Sequence, residues 1–273
     1  MTDAPETQQT QATDAPQVQQ WDEKITPGRF ENKTVIVTGA GAGIGRATAL
    51  RIAREGGKVI ACDISADGLA DLEQEASELA ITTVAGDVSD DGDVAKIVDA
   101  AGERIDGLAN VAGIMDDFSP VHDVKDDIWD AVLRVNLTGV MKLTRAVVTV
   151  MLPQKAGNVV NVGSEAGLRG SAAGAAYTAS KHALNGLTKN SAFMYAEEGL
   201  RFNAVCPGGV ATSIEVNFGS EFAAARLPKY FGLVPGLPST AQQQAALITY
   251  LLSDDSTNIS GAIIASDGGW AGV

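Results

Sequence analysis

The sequence predicts an α/β fold in which a single parallel, doubly wound sheet of about seven strands is flanked by helices. Three observations carry that prediction. Short β-branched runs alternate with longer stretches of helical period, several runs are apolar at consecutive positions, and the connections are short. Such alternation builds βαβ units, and strands apolar on consecutive positions belong to sheets covered on both faces.

Taken in order, residues 1–27 precede the pattern and are expected to form a disordered, acidic and Gln-rich tail. Residues 1–20 hold six Gln, no Lys or Arg, and only Met1 and Val18 as core candidates, too little to offset the entropy of ordering. The segment has neither the basic start nor the apolar stretch of a secretory signal. Strands are then expected at Thr34–Thr38, Lys58–Asp63, 82–85, 107–111, 158–162, 201–205 and 262–265, with amphipathic stretches such as 44–55, 66–79 and 93–103 between them. No internal repeat or Pro/Gly/Ser linker interrupts this region, so 28–273 reads as one domain.

Composition excludes several function classes. Of the 273 residues, 45% are hydrophobic and only 5% aromatic, so the core must come from Val, Ile, Leu and Ala. The formal net charge of −14 disfavours nucleic acid and anionic lipid as partners. No run of about 18 apolar residues argues for a membrane-spanning helix. Cys62 and Cys206 cannot make a disulfide framework, which favours a reducing, cytoplasmic setting. With His122 and His182 they show no metal-ligand spacing, so no metal is expected.

The first strand runs into Thr38-Gly39-Ala40-Gly41-Ala42-Gly43-Ile44-Gly45. The common GxGxxG spacing fails, because Ile44 stands where its third glycine would fall; GxxxGxG fits, through Gly39, Gly43 and Gly45. Glycines at a strand-to-helix turn let the backbone approach a diphosphate at a helix N-terminus, although they could also serve only a tight turn. The second strand ends in Asp63, where a carboxylate can accept both adenosine ribose hydroxyls and repel a 2′-phosphate. Ala42 and Ile64 are uncharged and Arg46 is the only nearby cation. The expected cofactor is NAD rather than NADP.

Tyr177 and Lys181 stand four residues apart at the start of a long helical stretch and share a face. An ammonium near the phenol favours phenolate, as a proton-transfer catalyst requires. The strand 158–162 delivers Ser164 to its C-terminal edge, where ligands bind in open α/β sheets.

With these residues in place, the sequence after Phe30 resembles the short-chain dehydrogenase/reductase family, which has a Rossmann-type sheet. The resemblance rests on Thr38–Gly45, Asp63, Asp87-Val88, Asn110-Val111-Ala112-Gly113, Asn136, Ser164, Tyr177, Lys181 and Pro207-Gly208 through Thr212. It implies Tyr177 as general acid/base, Ser164 as holder of the substrate oxygen, and Lys181 on the nicotinamide ribose. It further implies that Asn136 keeps a kink in its helix and anchors a water of the proton relay. Asp87 would recognise the adenine amino group through its side chain, with the Val88 amide beside it. Asn110, Ala112 and Gly113 would line the adenosine side, and Val210 and Thr212 would hold the carboxamide. The family often has a second asparagine where Val111 stands, a change that touches no catalytic role. His182 points about 100° away from Lys181 around the helix and reads as packing or interface.

The stretch after Thr212, through about Ser239, is irregular and holds Phe218, Phe222, Tyr230 and Phe231. The resemblance implies a mobile lid over a hydrophobic substrate; a short packed helical pair or a subunit contact would use the same aromatics. Glu215, Glu221, Arg226 and Lys229 form no cation cluster, which disfavours strongly anionic substrates. Trp270, near a terminus of small residues, and the helical stretch 172–196 suggest a subunit interface, hence a homotetramer or at least a dimer. The leading function is an NAD-dependent oxidoreductase acting on a small hydroxy or keto substrate, a secondary alcohol or ketone. The alternatives are a 3-oxoacyl-thioester reductase and a non-catalytic nucleotide-sensing module.

Overall fold

The first strand lies in the middle of the sheet, and the chain winds outward from it in both directions. In the computed structural model, which describes residues 17–18, 20–211, 217–231 and 236–272, the strands are β1 Thr34–Thr38, β2 Lys58–Asp63, β3 Ile81–Ala85, β4 Gly107–Asn110, β5 Gly157–Val162, β6 Leu200–Pro207 and β7 Ile263–Ser266. Their order is β3-β2-β1-β4-β5-β6-β7, and every neighbouring pair is parallel. The direction of winding reverses between β1 and β4, which opens a crevice at the strands' C-terminal ends.

Seven strand ends differ from expectation by one or two residues, and two of them have a visible cause. β4 stops one residue early because the amides of Val111 and Ala112 leave the ladder and donate to the Thr38 hydroxyl, each at 3.0 Å. β6 runs on to Pro207 because β7 pairs with it as far as Pro207–Ser266.

The helices are α1 Gly43–Arg54, α2 Ala66–Glu75, α3 Asp91–Ala101, α4 Asp126–Leu133, α5 Val140–Gln154, α6 Ala175–Met194, α7 Glu221–Arg226, α8 Pro228–Phe231 and α9 Ala241–Leu252. Strand side chains alternate between two cores, as the two-residue period requires. Val35, Val37, Val59 and Ala61 pack with Ile52 of α1 and Ile248 of α9. Ile36, Ile60, Leu108 and Val159 pack with Ile97 of α3 and Leu143 and Met151 of α5.

The segments α4 and α5 join through a wide π turn, Arg134–Gly139, into a 29-residue helix that by length and composition alone is apolar enough to cross a membrane. Lys142 and Arg145 interrupt it, so the sequence contains no unbroken apolar stretch of that length here. Leu143, Val147 and Met151 on this helix are buried against the sheet, as in the core helix of a layered fold.

The residues just before the first strand touch the folded body. Arg51 on α1 pairs with Glu23 at 2.8 Å and donates to the Lys24 carbonyl. The Thr26 amide donates to Glu55.

Candidate active site

The turn between β1 and α1 is shaped by steric necessity. Gly39 and Gly43 sit at φ +67° and +53°, the left-handed region that other residues enter at a penalty. A Cβ on Gly45 would lie 2.0 Å from the Gly39 carbonyl oxygen, so no larger residue fits. Ala42, the residue capping α1, provides no side-chain acceptor, and the first turn contains no acid. The leading amides of α1, on Gly43, Ile44 and Gly45, therefore remain available to an anion, and all three residues line a cavity of about 470 Å³. Asp63 lines it too; its carboxylate accepts from the amides of Gly41 at 2.9 Å and Ser65 at 2.8 Å. These features fit a dinucleotide, with donors for a diphosphate at one end of the turn and a carboxylate for ribose hydroxyls at the other.

The same cavity reaches Ser164, Tyr177 and Lys181. β5 ends two residues before Ser164, whose hydroxyl accepts from the Ala166 amide at 3.1 Å and is hydrogen-bonded to the Tyr177 phenol. α6 carries Tyr177 and, one turn on, Lys181, whose ammonium lies 5.3 Å from the tyrosine ring centre and donates to the Val162 carbonyl at 2.8 Å. Asn136 lies in the π turn, where the widened backbone turns its side chain inward. Its amide oxygen accepts from Ile114 N at 2.8 Å, and its Nδ2 donates to Ile114 O and to the Ser180 hydroxyl. A Cβ on Gly113 would come 3.2 Å from Asn136 Oδ1 and 3.5 Å from Lys181 Nζ; a side chain there would separate these groups.

Burial dominates the titration of the pair. It pushes the Tyr177 phenol up to about 12, against the lowering effect of its bond to Ser164. It pulls the Lys181 ammonium down to about 8. In the protein alone burial sets the balance, and Tyr177 is a protonated acid near neutrality.

Not every anticipated residue reaches the cavity. Val111, Ala112, Gly113 and Val210 line it. Asn110 instead is buried, its Nδ2 tying β4 to Asn161 on β5 and Thr144 on α5. Asp87 and Val88 are not in the lining. The Asp87 carboxylate is held by Ser89 and by Arg134 at 2.9 Å. Thr212 lies outside the described residues, as does Glu215. Of the lid aromatics, Phe231 lines the cavity and Phe218 packs 5.1 Å from Phe118, whereas Phe222 is exposed. Tyr230 takes Arg226 and Lys229 against its ring. His182 is exposed and bonds the Thr178 carbonyl. Trp270, expected at a subunit contact, forms part of the cavity wall.

The sequence assigned no role to two positioning residues, Thr38, which stands at the head of the glycine motif, and Asp116, which no motif marks. Thr38 holds the Val111–Ala112 wall through its hydroxyl. Asp116 is buried and accepts from the amides of Gly174 and Tyr177, which fixes the start of the helix that carries the tyrosine.

Comparison with known proteins identifies the family. The family model described as short chain dehydrogenase matches residues 33–221. The short-chain dehydrogenase/reductase cdmF of Talaromyces verruculosus is 41% identical over 90% of this chain and all of its own. The 3beta-hydroxysteroid dehydrogenase 2 of Eggerthella lenta is 37% identical over 88% of this chain and 95% of its own. The crystal structure of a Beutenbergia cavernae protein with NADP bound at low occupancy is 33% identical, with a TM-score of 0.79 over 90% of this chain and 100% of that one.

Proposed function

The chain belongs to the short-chain dehydrogenase family, and from that premise we propose that it is an NAD-dependent oxidoreductase acting on a secondary alcohol or ketone, with Tyr177 as general acid/base. The observation that carries this reading is the continuity of one cavity from the glycine turn and Asp63 to the hydrogen-bonded Ser164–Tyr177 pair.

A bound nicotinamide would supply or accept the hydride. The leading amides of α1 would hold its diphosphate, Asp63 its adenosine ribose, Lys181 its second ribose, and Val210 with the wall 111–113 the remainder. In ketone reduction the Ser164 hydroxyl donates to the substrate oxygen, and Tyr177 delivers the proton that the new alcohol needs. In alcohol oxidation Tyr177 accepts it. Lys181, buried beside the ring, and Asn136, across Gly113, set the electrostatics of that transfer. Replacing Tyr177 with Phe should leave NADH binding intact and reduce kcat by about 10³-fold; unchanged turnover sinks the reading.

Three features support NAD. Asp63 is an anion where a 2′-phosphate would sit, and Ala42 and Ile64 bring no cation. Arg46, the nearby cation, is engaged by Glu75 at 2.9 Å and by the Asp71 carbonyl. The Beutenbergia structure with NADP makes a direct comparison of kcat/KM for NADH and NADPH the decisive measurement, and NADPH preference refutes the assignment.

Ile114, Met115, Phe118, Ala172 and Phe231 give the substrate end an apolar lining. Lys181 is the one cation among the described lining residues, which does not favour an anionic acyl-thioester substrate. Together with the hydroxysteroid dehydrogenase relative, this supports a secondary alcohol on a bulky apolar, alicyclic skeleton. A screen of steroids, cyclic ketones and open-chain alcohols against NADH absorbance tests it. Phe193 and Met194, 82% and 61% exposed at the end of α6, support a homotetramer or dimer formed through that helix; light scattering reads the assembly size. The buried free thiols Cys62 and Cys206 suit a reducing, cytoplasmic setting.

A further inference from the structure

Phe118, in the loop after β4, holds a backbone φ of +61°, a conformation that a bulky residue adopts only at a penalty. Its surroundings enforce it. The Phe118 amide donates to the carboxylate of Asp116, two residues back, at 3.1 Å, closing an Asx turn. The start of α6 presses on the same backbone. A Cβ on Gly174 would come 2.7 Å from the Phe118 carbonyl carbon, and the Ala175 amide donates to the Ser119 carbonyl at 2.9 Å. Because the Asp116 carboxylate also accepts the Tyr177 amide, the backbone of Phe118 is fixed in register with that of the site tyrosine.

The ring is buried and lines the cavity. It also supports the segment 217–231. Phe218 lies 5.1 Å and Phe231 6.1 Å from it, centre to centre, one tilted and one edge-on, which are favoured arrangements of aromatic pairs. These two rings come from opposite ends of the segment, so one side chain holds both. Ala223 of α7, between them in sequence, is buried in the same apolar cluster. Polar contacts fasten the segment beside the ring. The Gly219 amide donates to the Asp117 carbonyl at 2.8 Å, and a Cβ on Gly219 would come 1.9 Å from Asp117 Oδ2, so only glycine allows this approach. The buried Ser220 donates its hydroxyl to Asp123. Three consecutive residues, Phe218, Gly219 and Ser220, therefore each meet the loop after β4.

We propose that Phe118 is the seat of the segment 217–231: its ring, held in place by a strained backbone, carries Phe218 and Phe231 and so fixes the wall that Phe231 gives the substrate compartment. Phe118 is a positioning residue that acts through these two rings. Without its ring the segment loses its common support, and the compartment opens toward water and holds substrate less tightly. Tyr177 keeps its place, because its amide remains on Asp116. One loop thus divides two tasks, with Phe118 setting the enclosure and Asp116 the register of the phenol. Naming the occupant as substrate rests on the dehydrogenase reading, but the seating of the segment does not.

The test uses amide hydrogen exchange, read by mass spectrometry without substrate, so its failure leaves the dehydrogenase reading standing, and failure of that reading leaves the seating measurable. Phe118→Ala should speed exchange over residues 219–231 by about tenfold or more, with α3 and α9 at wild-type rates. The double variant Phe218→Ala/Phe231→Ala removes the same contact from the segment's side and should have a similar effect. All three changes together should add little to either, because they remove one shared contact. Wild-type exchange over 219–231 in Phe118→Ala overturns the proposal, as do effects that add in full. Should Phe118→Ala not fold, as judged by circular dichroism, Phe118→Leu takes its place in the same cycle, with the same outcomes deciding. On a substrate found in the alcohol and ketone screen, Phe118→Ala should raise KM by about tenfold, with a smaller change in kcat. An unchanged KM overturns the proposal equally, and if no substrate is found the exchange cycle decides alone.

Discussion

The Asp116 carboxylate accepts the backbone amide of Tyr177 at 2.8 Å, so a loop after β4 sets the register of the helix that bears the reacting phenol. The same carboxylate accepts from Phe118 and Gly174, each at 3.1 Å, and its charge raises the tyrosine's pKa. Gly174, the residue capping α6, has no side chain to do this.

Asp116→Asn keeps an acceptor and removes the charge. The pH profile of kcat should therefore move to lower pH, because the phenol ionises more readily without the neighbouring anion. Asp116→Ala leaves three amides unpaired and should lose about 2–3 kcal/mol of stability in denaturant titrations. An unshifted pH profile in a well-folded Asp116→Asn enzyme argues against any effect on the phenol.

The strands and the cofactor turn were legible in the sequence because their physics is local. β-branched runs such as Val35-Ile36-Val37 mark buried strands, and Gly45 marks a turn with no room for a Cβ. Tyr177 and Lys181 were legible for the same reason, since helical geometry alone brings them to one face. What was not legible depends on contacts between distant segments. Asp116 reaches Tyr177 across 61 positions, and the Thr38 hydroxyl reaches the Val111 amide across 73. Asn110 sits at a strand end near the cavity, yet its side chain turns toward Asn161 and Thr144; one position of pleat separates wall from core. The titration of Tyr177 is not legible from spacing either, because burial, which spacing does not report, raises the phenol.

Asp63→Asn tests the basis of cofactor choice with little change of shape. The amide oxygen can still accept from Gly41 or Ser65, so the turn should survive, but the repulsion of a 2′-phosphate is gone. The ratio of kcat/KM for NADPH to that for NADH should rise by about tenfold or more. An unchanged ratio means that something other than the Asp63 charge selects the cofactor.

Gly45→Ala places a methyl group 2.0 Å from the Gly39 carbonyl oxygen, a distance no rotamer relieves because a Cβ has none. Either α1 or the turn must shift, and both hold the amides assigned to the diphosphate. NADH affinity, read by protein-to-NADH energy transfer, should fall by at least about 10²-fold, with a lower melting temperature. Gly41→Ala is the milder comparison, since its Cβ would meet the Asp63 carboxyl carbon at 3.0 Å and needs only a side-chain adjustment. If both variants bind NADH equally well, the close approach at Gly45 is not what shapes the site.

The pH dependence of stability isolates Glu165 from the chemistry. Its folded-state pKa of about 7 lies above the ordinary value of 4.5, so over that window the native chain binds a proton that the unfolded chain has released. Stability from this group is fully present below the unfolded value and is lost as pH rises through the folded one. Asp267, shifted the other way, changes protonation only at lower pH and leaves the window clear. Glu165→Gln cannot lose a proton and should escape the decline. The melting temperature of the variant minus that of the wild type should therefore climb steadily from about pH 5 to about pH 7 and level off above it. Parallel melting curves across that range would place the titrating carboxyl elsewhere and would remove the energetic basis for a protonated Glu165.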